Sequence, residues 1–521
     1  MTDAFLGIDL GTSAVKALVV DGEGEVRGTG SAEYPTLRPH PGWAEQDPDA
    51  WWDATIAAVQ QAIGWSGAAR IGGVGFSGQM HGAVFLGEHD RPLTPAVIWA
   101  DQRSARQVGE ITAKVGPERL LAIAGSRLAT GFMAATAVWM QEEQSSVWWR
   151  TKRILSPKDE LRRRLTGMVA TDPGDGSASL LFDGRWRNWS PDLLDAAEIP
   201  SILLPPVKPA GAIAGEMTPE AAEALGLVPG LPVVTGTGDA PSALLGAGIV
   251  DPATMLLSLS TGAQVMVPDD AFHPDAEGRT HAYCSGLEPG SGHPGWYQMG
   301  ATLVAGMALR WLRDEVLQLP AAGAYERMTG WAEKSSPGAR GLLFLPYLVG
   351  ERSPHWDSRA RGAFLGLAAH HDHGDIVRAV MEGITYGCLD AFAALQATGA
   401  HPERIVMAGG GSRSPFWRQM VADVFGLPVH GLATTDQSAM GAALLACTGI
   451  SARDPVQTAQ RWARYGPPVE PNAGRQGRYA EVFSLFRDAY APLIGVSHRL
   501  ADWYAESTGP RIVPRPISKR D

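Results

Sequence analysis

The chain opens on two apolar runs separated by small polar residues. AFLGIDL and AVKALVV flank the turn GTS, and a second turn, DGEGE, follows. Strands this close, joined by turns this short, must pair antiparallel. The next stretch, DPDAWWDATIAAVQQAI, reads as a helix, with Asp47 suited to the N-cap and Pro48 to the first helical position. IGGVGFSGQMHGAVFL then returns to strand, glycine turn and strand. Near residue 255 the opening pattern recurs: MLLSLSTGAQVMV echoes FLGIDLGTSAVKALVV. Two domains that each begin with a hairpin would account for the echo. In DIVRAVMEGITYGCLDAFAAL, Ile376, Val380, Ile384 and Gly387 recur at helical spacing, with Asp375 as the expected cap. ERIVMAGGGSRSPFWRQMVADVFG reads strand, glycine turn, helix, with Ser414 at the N-cap and Pro415 after it. LPVVTGTGDAPSALLGAG ends a strand in glycines, presents a single carboxylate, Asp239, and starts a small-residue helix. Strands alternating with helices throughout predict an α/β protein. The expected division is a domain over 1–248, a second over 249–496, and a tail over 497–521 whose GPRIVPRPISKRD is loosely held.

Composition narrows the function without fixing it. A chain of 521 residues exceeds what one core supports. The net charge of −11 argues against nucleic acid as the main partner, since neutralising phosphates needs a basic face. It leaves room for a small phosphate held by backbone N–H groups and a metal. Cys284, Cys388 and Cys447 lie far apart, with no CxxC, so neither a zinc site nor a disulfide framework is indicated. No signal peptide and no run of about 18 apolar residues is read, so the expectation is a cytoplasmic protein without a membrane span.

Four glycine turns have the composition to touch phosphate or sugar: Gly11-Thr12-Ser13, Gly236-Thr237-Gly238, Ser260-Thr261-Gly262 and Gly409-Gly410-Gly411. Each alone is also an ordinary loop. There is no P-loop sequence, no GxSxG elbow and no HExxH. GVGFSG at 73–78 matches GxGxxG, but it lies inside a strand-like run and no helix follows, so it is not a dinucleotide fingerprint. HHDHGD at 370–375 reads as a polar loop before a helix cap rather than a metal site. Trp51 and Trp52 read as packing residues.

Taken together, IDLGTSAVKALVVDGEGEV, GWAEQDPDAWW, GFSGQMHG, PAVIWADQRS, LSPKDELRRRLTG, FLPYLVGERSPHWD and GGGSRSPFWRQMVAD resemble the FGGY carbohydrate kinases, and within them the members that phosphorylate D-xylulose. The likeness runs in order from residue 5 to about residue 447. It implies two actin-like, ribonuclease H-like α/β ATPase domains flanking a central cleft, and transfer of the γ-phosphoryl of ATP, with Mg²⁺, to a sugar hydroxyl. By the same resemblance Asp239 is the general base, and Asp9 and Asp239 are the metal-side carboxylates. Thr12, Ser13 and Lys16, then Thr261, Gly300, Gly410, Gly411 and Ser412, fall on the nucleotide side, with Arg413 nearby. Met80, His81, Gly82, Trp99, Asp101 and Arg103 fall on the sugar side. His81 also reads as a packed histidine donating to a backbone carbonyl. The resemblance implies a small-molecule sugar as substrate, no nucleic-acid or membrane partner, and a homodimer.

Two turns depart from the family pattern. GTGDAP carries Thr237 where the family has glycine and Ala240-Pro241 where it has asparagine and its neighbour; LSLSTG carries Ser260 in place of glycine. Pro241 fixes φ and removes an N–H, and a Cβ at Ser260 narrows the approach of phosphate. Three readings therefore remain. One is a D-xylulose kinase. Another is a kinase for a different sugar or polyol (ribulose, fuculose, gluconate or glycerol), the last supported by RWLRDE and PHWDSRARGAFLGL. The third is a non-catalytic sugar- or nucleotide-binding regulator.

Overall fold

A computed structural model describes residues 3–67, 70–290, 292–434 and 436–508. The chain divides into two compact units. One comprises Met1–Pro252, Pro268–Gln298 and Asp436–Arg464; the other comprises Ala253–Val267, Met299–Thr435 and Tyr465–Asp521.

In the first unit, β1 (Asp3–Leu10) and β2 (Ala14–Asp21) form the expected hairpin, with Asp9 opposite Lys16. β3 (Val26–Glu33) pairs antiparallel with β2. On the other side of β1, β4 (Arg70–Gly78) runs parallel, followed by β6 (Pro232–Val234) and β5 (Ile213–Glu216), so the order is β5-β6-β4-β1-β2-β3. β7 (Thr237–Gly238) pairs with the end of β4, Thr237 opposite Ser77. This register brings Asp9, Ser77 and Asp239 to the same end of the sheet. α1 (Pro48–Trp65) starts as expected, the Asp47 side chain accepting from Asp49 N at 2.9 Å. Trp51 is fully buried, as a packing residue should be.

The glycines of GVGFSG serve packing. The helix Gln437–Ser451 lies on β1 and β4 so closely that a Cβ at Gly75 would overlap the Ala442 carbonyl oxygen, and one at Gly7 that of Ala439. A small-residue helix against a glycine-smoothed sheet face gains dispersion contacts that bulkier residues would forbid. Gly75→Ala is therefore expected to destabilise this unit by roughly 1–3 kcal/mol, the range for an overpacked core. A melting temperature equal to the parent's would contradict the packing argument.

The second unit repeats the scheme. β8 (Thr254–Leu259) and β9 (Ala263–Asp269) form an antiparallel hairpin around Ser260-Thr261-Gly262. β10 (Trp296–Thr302) follows β9 in the sheet, and β11 (Arg404–Ala408) and β12 (Val429–Gly431) add in parallel beyond β8. A hairpin with parallel strands on one flank is thus common to both units, which explains the echo in the sequence. The core beside this sheet includes Met255, Leu257, Val380, Ile384 and Trp417.

One cap moves. The helix spans His373–Ala397, and its N-cap is Asp372, which accepts from Gly374 N and Asp375 N; Asp375 is the reciprocal member of the capping box. Sequence spacing alone favours Asp375 because the apolar repeat begins at Ile376. Ser414 caps Pro415–Phe425, accepting from Trp417 N at 3.2 Å. The last helix runs Ala473–Thr508; GPRIVPRPISKRD lies outside the described residues. Among the described residues no helix is long and apolar enough to cross a membrane, and no three His, Cys, Asp or Glu side chains are grouped to hold a metal, HHDHGD included.

Candidate active site

Asp9 lies near the end of β1 and accepts from the Ser77 hydroxyl at 2.9 Å. Asp239 is the first residue of the helix Asp239–Gly246, where the orphan N–H groups of a helix start favour a carboxylate. Both carboxylates stay partly accessible. Burial pushes Asp239 up to about 7, and the charge of Asp9 adds to the shift. Asp9 is pushed up to about 6, again by burial first, with Ser77 and Lys16 opposing and Asp436 adding. Two buried carboxylates, both raised in proton affinity and Asp239 further raised by the charge of Asp9, form a centre that a cation or a proton relieves.

Two hydrogen bonds tie the helix that starts at Asp239 to the helix Gln437–Ser451. Ser438 Oγ donates to Asp239 O at 3.1 Å, and Ser242 Oγ donates to Ser438 O at 2.8 Å. Pro241 is the third residue of the helix, a position whose N–H has no intrahelical partner, so the ring costs nothing there. Thr237 is fully buried and donates to Asp172 Oδ2 at 2.6 Å. Asp172 belongs to a buried charge cluster that sequence reading missed. Lys158 Nζ lies 2.6 Å from Asp159 Oδ1, 3.3 Å from Asp172 Oδ1 and 3.7 Å from Asp175 Oδ2, all with fully buried side chains. Arg162 joins Asp159 at 2.7 Å and donates to Thr235 O at 2.9 Å. Burial opposes the Lys158 charge, but the three carboxylates outweigh it and hold its pKa above the ordinary value. Burial pushes Asp175 up to about 8.

The first glycine turn is braced by neighbours. Trp99 Nε1 donates to Thr12 Oγ1 at 3.0 Å and Gln46 Nε2 to Thr12 O at 2.7 Å. Ser13 and Lys16 are exposed, with Lys16 Nζ 2.5 Å from Asp436 Oδ1. Met80 is buried and packs against Gly238, the residue before Asp239. Tyr297 reaches the same spot: its hydroxyl is 3.9 Å from Met80 Sδ, and burial, Tyr283 and the Asp239 charge all push its pKa up. His81 has a φ of 75°, its Nδ1 meets Ala178 O at 2.7 Å, and its ring stacks on Phe132 at 3.8 Å. Both readings of His81 are compatible with this pose, since one ring nitrogen anchors it to a carbonyl. Gly82 is buried against Pro157. Asp101 is buried, its oxygens accepting from Ala44 N and the Arg103 guanidinium; Arg103 also pairs with Glu45 at 2.8 Å and covers Trp43 at 3.5 Å. That clasp ties the segment after Trp99 to the segment before α1.

The second unit holds a cavity of about 780 Å³. Ser260 and Thr261 line one part, Gly410, Gly411 and Arg413 another, and Tyr325 and Trp417 supply apolar faces. Ser412 is outside the lining; its hydroxyl donates to Gly409 O at 2.7 Å and closes the turn. Gly300 is buried against Ala391.

Comparison with known proteins identifies the family and the fold. Residues 4–246 match the N-terminal domain of the FGGY family of carbohydrate kinases, and residues 255–450 its C-terminal domain. The chain is 33% identical to a xylulose kinase from Lactococcus lactis subsp. lactis, over 96% of this chain and 99% of the relative. It is 29% identical to a gluconokinase from Bacillus subtilis, over 85% and 87%. The crystal structure of a xylulose kinase from Rhodospirillum rubrum superposes with a TM-score of 0.87 at 29% identity, covering 95% of this chain and 99% of that one.

Proposed function

The chain belongs to the FGGY family of carbohydrate kinases, phosphotransferases that act on sugar hydroxyl groups, and on that premise we propose that its substrate is D-xylulose, converted to D-xylulose 5-phosphate with ATP as donor. The observation that carries the choice of sugar is the Met80-His81-Gly82 segment, whose first residue packs beside Asp239 while His81 is turned by its left-handed backbone and anchored through one nitrogen.

In this reading Asp239 accepts the proton of the attacking hydroxyl as that oxygen bonds to the γ-phosphorus and the bond to the ADP oxygen breaks. A base whose pKa stands at about 7 is matched to neutral pH. It must be ionised to act. kcat/KM for the sugar is therefore expected to fall tenfold per pH unit below about pH 7, and a profile flat down to pH 5 would contradict the assignment. Thr12, Ser13 and Lys16 in the first unit, and Thr261 in the second, are the residues assigned to phosphate binding in this reading. Gly410, Gly411 and Ser412 form the adenosine-side loop, and the apolar faces of Tyr325 and Trp417 suit a base. Gly300 serves this side by letting its strand approach the helix behind it. Asp101 and Arg103 serve the sugar side by fixing Trp99.

Asp9 and Asp239 suit Mg²⁺: two hard oxygen donors, each raised in proton affinity, are what an ion that keeps most of its shell as water and phosphate oxygen requires. The ion would neutralise developing phosphate charge.

Coupled ADP release across D-xylulose, ribulose, fuculose, gluconate and glycerol tests the proposal. D-xylulose should give the highest kcat/KM. A higher value for gluconate would favour the second reading, which the Bacillus subtilis relative supports. Absence of turnover on every member would favour a binding role.

A further inference from the structure

The turn Ser260-Thr261-Gly262 is exposed on its outer side and held from behind. Ala305 N and Met307 N donate to Thr261 O at 2.9 and 3.0 Å, and Gly306 N donates to Ser260 O at 2.8 Å. A Cβ on Gly262 would sit 2.5 Å from Thr302 O and 3.1 Å from Leu303 O. Residues 302–307 are therefore the bed on which the turn rests, and whatever fixes Leu303 fixes where Thr261 points.

Glu351 does this. It comes from the segment FLPYLVGERSPHWD and is only 3% exposed. Its Oε1 accepts from Leu303 N at 2.7 Å and from Arg352 N at 2.8 Å. One residue pair away, Ser353 N donates to Ala301 O at 2.9 Å, so 351–353 runs alongside 301–303. The other oxygen, Oε2, has no hydrogen-bond partner among the described residues. A buried carboxyl with an unpaired oxygen is costly to keep in a fold. Burial also pushes Glu351 up to about 8, so the carboxyl carries its proton at neutral pH and gives the site no charge. An apolar side chain would fill the same space without that cost but would leave Leu303 N without its acceptor.

We propose that Glu351 is a positioning residue for phosphate binding: its Oε1 holds Leu303 and, through residues 302–307, orients the Ser260-Thr261-Gly262 turn toward the triphosphate. The inference rests on reading that turn as a phosphate site. It assigns the buried acid to nucleotide affinity rather than to chemistry.

Calorimetric titration of the full chain with ATP and Mg²⁺, and separately with adenosine, tests it. Glu351→Asp shortens the side chain by one methylene and withdraws the acceptor; Glu351→Leu removes it; Glu351→Gln keeps it. The Asp and Leu variants should weaken ATP roughly tenfold, the worth of one buried hydrogen bond, while adenosine stays within about twofold. The Gln variant should bind ATP like the parent. Should Leu not fold, the Asp and Gln variants decide. Unchanged ATP binding in Glu351→Asp, equal losses for ATP and adenosine, or a Gln variant as weak as Asp would each overturn the proposal. Thr261→Ala separates the underlying reading: if it leaves the ATP-to-adenosine affinity ratio unchanged, the turn does not bind phosphate. If it lowers that ratio while Glu351→Asp does not, only the role of Glu351 fails.

Discussion

Asp239→Asn is expected to lower kcat by roughly 10²–10⁴-fold, the span that a positioned general base supplies. Asparagine preserves size and leaves the backbone contact with Ser438 in place, so sugar affinity should change only a few-fold. A variant that kept a tenth of the parent's kcat would exclude Asp239 as the base. The same substitution should stabilise the fold above neutral pH. The Asp239 pKa is raised from an ordinary value near 3.8 to about 7, so across that interval the folded chain binds more protons than the unfolded one. Stability then falls as pH rises through the window, and the penalty is complete above pH 7. Asparagine never ionises and escapes it. At pH 8 the variant should be more stable by on the order of 1 kcal/mol, because each tenfold change in proton affinity is worth about 1.4 kcal/mol and the carboxyl keeps part of its contact with water. The difference should vanish near pH 4. A melting temperature below the parent's at pH 8 would contradict this account.

Lys158→Met is expected to cost about 3–5 kcal/mol, because it strands buried carboxylates that now share one ammonium. The damage should reach the chemistry. Thr237 is tied to Asp172 at 2.6 Å and Arg162 to Thr235 O, so the loop carrying Asp239 depends on this cluster for its shape. Scanning calorimetry should show the loss in one of two transitions, since a chain of two units need not unfold as one. Lys158→Met combined with Asp172→Asn should recover most of it, because Asp159 keeps the Arg162 guanidinium as its partner and the stranded charge of Asp172 is then gone. A single variant that loses less than 1 kcal/mol would mean that the cluster contributes little.

The elements that sequence reading finds are those whose apolar period and punctuation agree: the two hairpins, α1 behind Asp47-Pro48, and Pro415–Phe425 behind Ser414. Asp239 is legible because a lone carboxylate stands between a strand ending in glycines and a helix. The Lys158 cluster is not. KDELRRR has the composition of a solvated helix face, yet Lys158, Asp159, Glu160 and Arg162 are all buried, and their partners arrive from Asp172 and Asp175. Pairing across such distances leaves no local period. Glu351 escapes for a related reason, since its significance is a hydrogen bond to a backbone N–H 48 positions away. Tyr297 reads as one apolar residue of a strand until Met80 and Asp239 are seen beside it.

The glycine-smoothed face of β1 and β4 has a consequence for biosynthesis. Its covering helix, Gln437–Ser451, is encoded roughly 430 residues after β1. At 5–20 residues per second, translation leaves that face uncovered for on the order of 20–90 s. For all that time the nascent chain carries a flat, apolar strand surface with nothing to cover it. Chaperone occupancy on the ribosome should persist until this helix emerges, and a chain truncated before residue 437 should aggregate rather than accumulate as a folded first unit.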